Sequence, residues 1–221
     1  MKWMDEYQKA RTRGANVFLF VGSIGDGFPR EEMFDPRDPS DMLDPWAGAL
    51  LRRADVHALA WTYDLVRGFE FRNPDDEQAF RRLIVPPEEP KNVASSKDDP
   101  IEAARQKLEA AAPLPRADAM SAFSVMQEAF DRRTSGCLAI LPDIDAYVSP
   151  QTGISDRAAG RLSLTLIRFA TSEAYRRAGH VILMSTPAIS MIDERLRRPD
   201  APIKIIRVCK PDETERKTFV L

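Results

Sequence analysis

Residues 136–147 read "GCLAILPDIDAY", and the choice of architecture turns on them. Five apolar residues, Cys137 to Leu141, run into Pro142 and then into a turn that carries Asp143 and Asp145. An apolar run of this length, with glycine before it and a turn after it, reads as a strand buried on both faces. Carboxylates just past the end of such a strand stand where they can hold a cation or orient a water molecule.

Four further runs share this character: "NVFLFVG" (16–22), "VHALAWTYD" (56–64), "HVILM" (180–184) and "IKIIRV" (203–208). Between them lie helical patterns at 41–54, 76–84, 117–133 and 155–179. In the last, Leu162, Leu166, Phe169 and Ala170 recur at helical spacing, Ser155 can cap the start and Gly179 supplies the stop. Strands alternating with helices predict an α/β domain, a three-layer αβα arrangement around a mainly parallel sheet of five strands. We divide the chain into an N-terminal helix (1–15) and an α/β core (16–221). The segment "VPPEEPKNVASSKDDP" (85–100), rich in proline and charge, reads as a surface excursion.

Composition narrows the function. With 32 basic and 34 acidic residues, the chain has no positive field to drive counterion release from nucleic acid. No run approaches the roughly 20 apolar residues needed to cross a bilayer, and the start lacks the apolar core of a signal peptide. A cytoplasmic protein is expected. Cys137 and Cys209 fall in apolar runs and are expected to be buried, unpaired and not metal ligands. His57 and His180 are isolated, without ligand spacing, and no nucleophile set forms around them. The aromatics of "AWTYDLVRGFEF" (60–71) beside Arg67 offer a stacking surface or, equally, a strand and its edge turn.

The first strand runs into "GSIGDGFP" (22–29), in which Gly22 and Gly27 have the spacing of the phosphate-cradling loop G-x-x-x-x-G-K-[ST], with Gly25 between them. Phe28 stands where the loop needs lysine and Pro29 where it needs a hydroxyl, and Asp26 adds a negative charge. "LPDIDAY" (141–147) resembles the end of the third strand in the ATPases Associated with diverse cellular Activities, the AAA+ superfamily. Within that resemblance Pro142 takes the magnesium-organising acid position and Asp143 the catalytic glutamate position. "HVILMSTPAISMIDERLRRPDAPIKIIRVCKPDETERKTFV" (180–220) is similar to the same family's stretch from the fourth strand through the fifth. It places Ser185 and Thr186 at the sensor asparagine and Arg198 near the arginines that act on a neighbouring subunit.

The resemblance implies a P-loop NTPase-like sheet in which the five runs, numbered along the chain, take the order 5-1-4-3-2. It also implies a helical lid after the fifth strand. The chain instead stops at "PDETERKTFVL", so the lid is expected to be absent and the chain to be the N-terminal part of a longer ATPase. Both nucleotide motifs are disrupted. The expectation is therefore a non-catalytic AAA+-like module that scaffolds or regulates a larger ATPase assembly. Its partner would be another AAA+ domain or subunit, arranged in a ring, and it would lack ATPase activity alone and carry no cofactor or metal. Two alternatives stay open. One is a divergent ATP hydrolase that binds ATP and magnesium and uses Asp143, Asp145 and Arg198. The other is an α/β binding domain for another nucleotide-like ligand.

Overall fold

Each of the long apolar runs becomes a strand, and register brings their ends together on one rim. The computed structural model describes residues 2–22, 28–29, 43–44, 59–84, 113–149 and 156–209. The excursion at 85–100, the chain end at 210–221 with its expected missing lid, and Gly25, Gly27, His57 and Ser155 lie outside these residues. Strands are β1 (Val17–Gly22), β2 (Phe28–Pro29), β3 (Leu43–Asp44), β4 (Leu59–Asp64), β5 (Gly68–Phe71), β6 (Cys137–Leu141), β7 (Val181–Thr186) and β8 (Lys204–Val208). Helices are α1 (Lys2–Thr12), α2 (Pro74–Ile84), α3 (Ala119–Arg132), α4 (Asp145–Val148), α5 (Asp156–Thr171), α6 (Glu173–Ala178) and α7 (Glu194–Arg197), with a 3-10 turn at Ile189–Met191.

The main sheet has six strands in the order β5-β4-β6-β7-β1-β8. Five run parallel, and β5 returns antiparallel along β4, pairing Trp61 with Phe71 and Asp64 with Gly68. The α/β class therefore holds, and the sheet departs in detail from the five strands expected. The sixth strand comes from a tight hairpin. The Asp64 carboxylate accepts from the backbone N–H groups of Val66 (2.8 Å) and Arg67 (2.6 Å), and Gly68 takes the positive φ of 78° that closes the turn. The aromatics of this hairpin face inward, with Trp61, Phe69 and Phe71 each packed on Phe80 of α2, so they form core rather than a stacking surface.

Strand alternation splits the core in two. Val17, Leu19, Trp61, Ala139, Leu141 and Met184 face the layer formed by α2, α3 and α5. Phe18, Phe20, Ala60, Ile140, Leu183 and Ile206 face the other side, where α1 lays Trp3, Tyr7 and Ala10 on them. The contacts there are edge-on: Trp3 meets Phe20 at 5.6 Å and Tyr7 meets Phe18 at 4.8 Å between ring centroids. Burying one such side chain contributes roughly 1.5–3 kcal/mol, and Glu6 adds an ion pair to Lys204 of β8 at 2.9 Å. Among the described residues no helix is long and apolar enough to cross a membrane.

Three local expectations change. The helix anticipated over 155–179 is two helices, because the Ser172 hydroxyl accepts from the Tyr175 N–H (3.3 Å) and caps a new start inside the periodic pattern. Gly179, at φ 78°, does stop the second. Leu43–Asp44, inside the helix anticipated over 41–54, is extended and pairs antiparallel with Phe28–Pro29. Cys209 is exposed, since β8 ends one residue before it, whereas Cys137 is buried with its thiol pushed up to about 12 by burial; both are free thiols.

His180 shows how the buried histidine is satisfied. Its Nδ1 accepts the backbone N–H of Cys137 at 3.1 Å, which requires the neutral ring. Burial accordingly holds its pKa below the ordinary value. The unfolded chain thus takes up a proton near pH 6.5 that the folded chain resists. The stability contributed by His180 is complete above that pH and is lost as pH falls towards the folded pKa. Urea unfolding at pH 7.5 and 5.5 should show a loss at the lower pH that shrinks in His180→Gln; an unchanged loss would remove His180 as its source.

Candidate functional site

The candidate site is the rim formed by the carboxyl ends of the parallel strands, where ligands of open α/β sheets bind. Its first element is Gly22, the last residue of β1. Gly22 has φ 129°, and a Cβ built on it would stand 2.3 Å from the Val208 carbonyl oxygen. Close approach of β8 thus accounts for this glycine without any phosphate. Phe28 and Pro29, at the lysine and hydroxyl positions of the loop, lie in the short antiparallel ladder with Asp44 and Leu43. An anion site of the phosphate-loop kind instead needs a helix N-terminus there, with its free N–H groups.

The second element is the turn after β6. Pro142 is partly buried, and Asp143 takes φ 50°, a left-handed conformation that aspartate tolerates better than most residues. The turn is clamped to β7 by a single residue. Ser185 accepts the Asp143 N–H on its Oγ at 3.3 Å and the Ile144 N–H on its carbonyl at 2.8 Å. Thr186 is fully buried and donates its hydroxyl to the Ala188 carbonyl at 3.2 Å. The hydroxyls of Ser185 and Thr186, expected at the sensor position, are therefore both engaged with backbone. Beyond the turn, α4 is fixed to β4 through Tyr147, whose O–H donates to the Tyr63 carbonyl at 3.1 Å, while the Tyr63 O–H donates to the Arg116 carbonyl at 2.6 Å. Burial raises both phenols, Tyr63 to about 12, so neither is an acid near neutrality.

The third element is charge. Asp143 is exposed on the rim, yet its carboxyl is pushed up, first by partial burial and then by the charges of Asp145 and Asp64, with Arg67 opposing. Asp145 is 9% exposed, and its Oδ1 has no hydrogen-bond partner. Asp64 pairs with Arg67 at 3.1 Å. The structure thus brings Asp143 and Asp145 to one rim, as the sequence order implied, and adds Asp64 and Arg67 from the hairpin. The latter pair was missed as charged groups of the site; the signal was the turn "DLVRG", which sets an acid and a base three residues apart. Arg198 is not among the charges acting on Asp143; it is 57% exposed and pairs with Glu194 at 3.5 Å. Among the described residues no three His, Cys, Asp or Glu side chains are placed to hold a metal ion.

Gly22 gives a direct test of packing against ligand binding. Gly14 also has a positive φ (90°), but a Cβ there would meet nothing within 4 Å. Gly14→Ala should cost only the strain of its backbone, about 1–3 kcal/mol. Gly22→Ala carries that strain and the collision with Val208, and should lower the urea midpoint clearly further. Equal losses for the two variants would mean that Gly22 is kept for something other than the β1–β8 contact.

No protein-family model matches this sequence, and no curated protein matches it. Among solved structures, a chain of the E. coli MS115-1 HORMA:CdnC:Trip13 complex is similar over 48% of this chain and 37% of that chain, at 17% identity and a TM-score of 0.34. A likeness of that extent bears on neither the activity nor the partners of this chain.

Proposed function

We propose that the chain is a catalytically silent, AAA+-like nucleotide-hydrolase core that acts as an interaction module, scaffolding or regulating a larger ATPase assembly. The observation that carries this reading is the ladder of Phe28–Pro29 with Leu43–Asp44. Extended chain occupies the place where a phosphate site requires the first turn of a helix, and its residues supply neither a cation nor a metal-binding hydroxyl. Ser185 and Thr186 support the same reading, because hydroxyls engaged with backbone on a buried strand end are poor sensors of a γ-phosphate. Under this proposal the sheet survives as a rigid platform and its surfaces make the contacts.

A second reading has one observation in its favour. Asp143 combines a positive φ with a raised carboxyl pKa, and strained, perturbed acids concentrate at working sites. In that reading Asp143 is the base of a divergent ATP hydrolase.

Nucleotide binding separates the two. Hydrogen bonds to charged groups contribute roughly 1.5–3 kcal/mol each. Losing two of them weakens binding by about two to four orders of magnitude. We expect no phosphate release and no thermal shift in millimolar magnesium–ATP. Turnover that vanished in Asp143→Asn would establish the second reading in place of the first. ATP binding gained by Phe28→Lys with Pro29→Thr would identify the loop as a degenerate cradle.

A further inference from the structure

Among the described residues, ion pairs at i, i+4 lie on or at the start of several helices of this protein. Arg72 pairs with Asp76, Arg81 with Glu77, Arg132 with Glu128 and Arg177 with Glu173. On α5, Arg157 and Arg161 stand four apart with like charge, and Arg157 lies in the first turn, where the helix dipole also disfavours a cation. Both arrangements work against the helix. Arg157, Arg161, Leu164 and Arg168 are all exposed. At 3.6 residues per turn they fall within an arc of about 60°, as a stripe about 16 Å long on the solvent face. Opposite them, Ala159, Leu162, Leu166 and Phe169 are buried.

A fourth guanidinium flanks the stripe. A Cβ on Gly160 would stand 2.7 Å from a guanidinium nitrogen of Arg195, so α7 lays this arginine against the side of α5. Ser163 donates to Asp193 at 3.1 Å and fixes α7 in that position. Among the described residues none of Arg157, Arg161, Arg168 and Arg195 has a carboxylate partner. Leu164, 52% exposed, interrupts the charges. At the end of the stripe, beside the helix break at Ser172, a cavity of about 340 Å³ opens between α3 and α5, with Gln127, Arg168 and Tyr175 in its lining.

We propose that this face of α5, with Arg195 of α7, is a docking surface for an acidic amphipathic helix of a partner protein. Guanidinium groups pair with carboxylates through two parallel hydrogen bonds. A partner helix with acids at i, i+4 spacing meets the arginines in register. Leu164 takes an apolar residue of the same partner face, and the cavity receives one of its side chains. Nucleic acid fits less well, because the chain has 34 acidic against 32 basic residues and so no long-range positive field, and a phosphodiester backbone gives Leu164 nothing to pack on. An anionic bilayer needs a wide apolar face, and this stripe has one leucine. The surface uses no residue of the strand-end rim, so it stands whether or not that rim binds nucleotide.

The test is fluorescence anisotropy with a labelled synthetic helix of repeating Glu and Leu, run beside a short DNA duplex and phosphatidylserine vesicles. The full chain should bind the acidic helix saturably, with affinity falling as salt rises. Arg161→Glu with Arg168→Glu should weaken binding at least about tenfold. Arg161→Lys with Arg168→Lys should fall between the two, and Leu164→Ala should weaken binding with its salt dependence unchanged. Arg176→Glu, an exposed reversal on α6, should have no effect. If charge reversal lowers the melting temperature, the lysine pair and Leu164→Ala carry the comparison. The proposal fails if wild type shows no saturable binding, if the α5 variants bind as wild type does, or if DNA or vesicles bind more tightly than the helix.

Discussion

A parallel strand with no polar face must be covered twice and paired twice, and β1 imposes this demand on the whole molecule. Val17 and Leu19 point to one layer, Phe18 and Phe20 to the other, and all four are essentially inaccessible. Its hydrogen bonds are taken by β7 on one side and β8 on the other. The remaining architecture answers that demand: α5 with α2 and α3 on the first face, and α1 with its edge-on aromatics on the second. The N-terminal helix is thus a wall of the core. Trp3 and Tyr7 close over rings that no other described helix reaches.

The strand-end rim inherits its character from the same packing. Because β8 lies so close to the end of β1, residue 22 has no room for a side chain. Because Ser185 stands one residue before the end of β7, the turn after β6 finds both an oxygen acceptor from a side chain and one from the main chain. Among the described residues, these contacts engage the Ser185 hydroxyl and carbonyl and the Thr186 hydroxyl at the rim. What stays available is electrostatic: Asp143 with its raised carboxyl, the partnerless oxygen of Asp145, and the Asp64–Arg67 pair at the hairpin.

Much of this was legible in the chain, for identifiable reasons. Long apolar runs such as "NVFLFVG" and "CLAIL" have only one comfortable environment, a strand between two layers, and they took it. The acids at 143 and 145 follow such a run directly, so their place at its end was fixed by contiguity. What could not be read depended on partners distant in sequence or on a contest between side chain and backbone. The edge strand Gly68–Phe71 is short and exposes Glu70, so no pattern announced it. The break at Ser172 lies within good helical periodicity and arises from one hydroxyl competing for a backbone N–H. Ser185 has the composition of a sensor and the contacts of a clamp, and only its neighbours distinguish the two. Arg198 was expected near arginines that act on a neighbouring subunit, and its side chain pairs with Glu194.

The pairing of β1 also dictates when the molecule can be completed during synthesis. Val17 pairs alongside Ile182, and Phe18 alongside Lys204, so β1 leaves the ribosome well before the strands that flank it. Contacts of such long sequence separation form late and slowly. Until then Phe18, Phe20 and the aromatic face of α1 have only each other for cover, a nascent segment with two unpaired edges. The β4–β5 hairpin and α2, by contrast, close over neighbouring residues and can assemble early. Biosynthesis therefore separates β1 from its cover: the strand is made before both of the strands that secure its edges, and the nascent chain must shelter it until they follow.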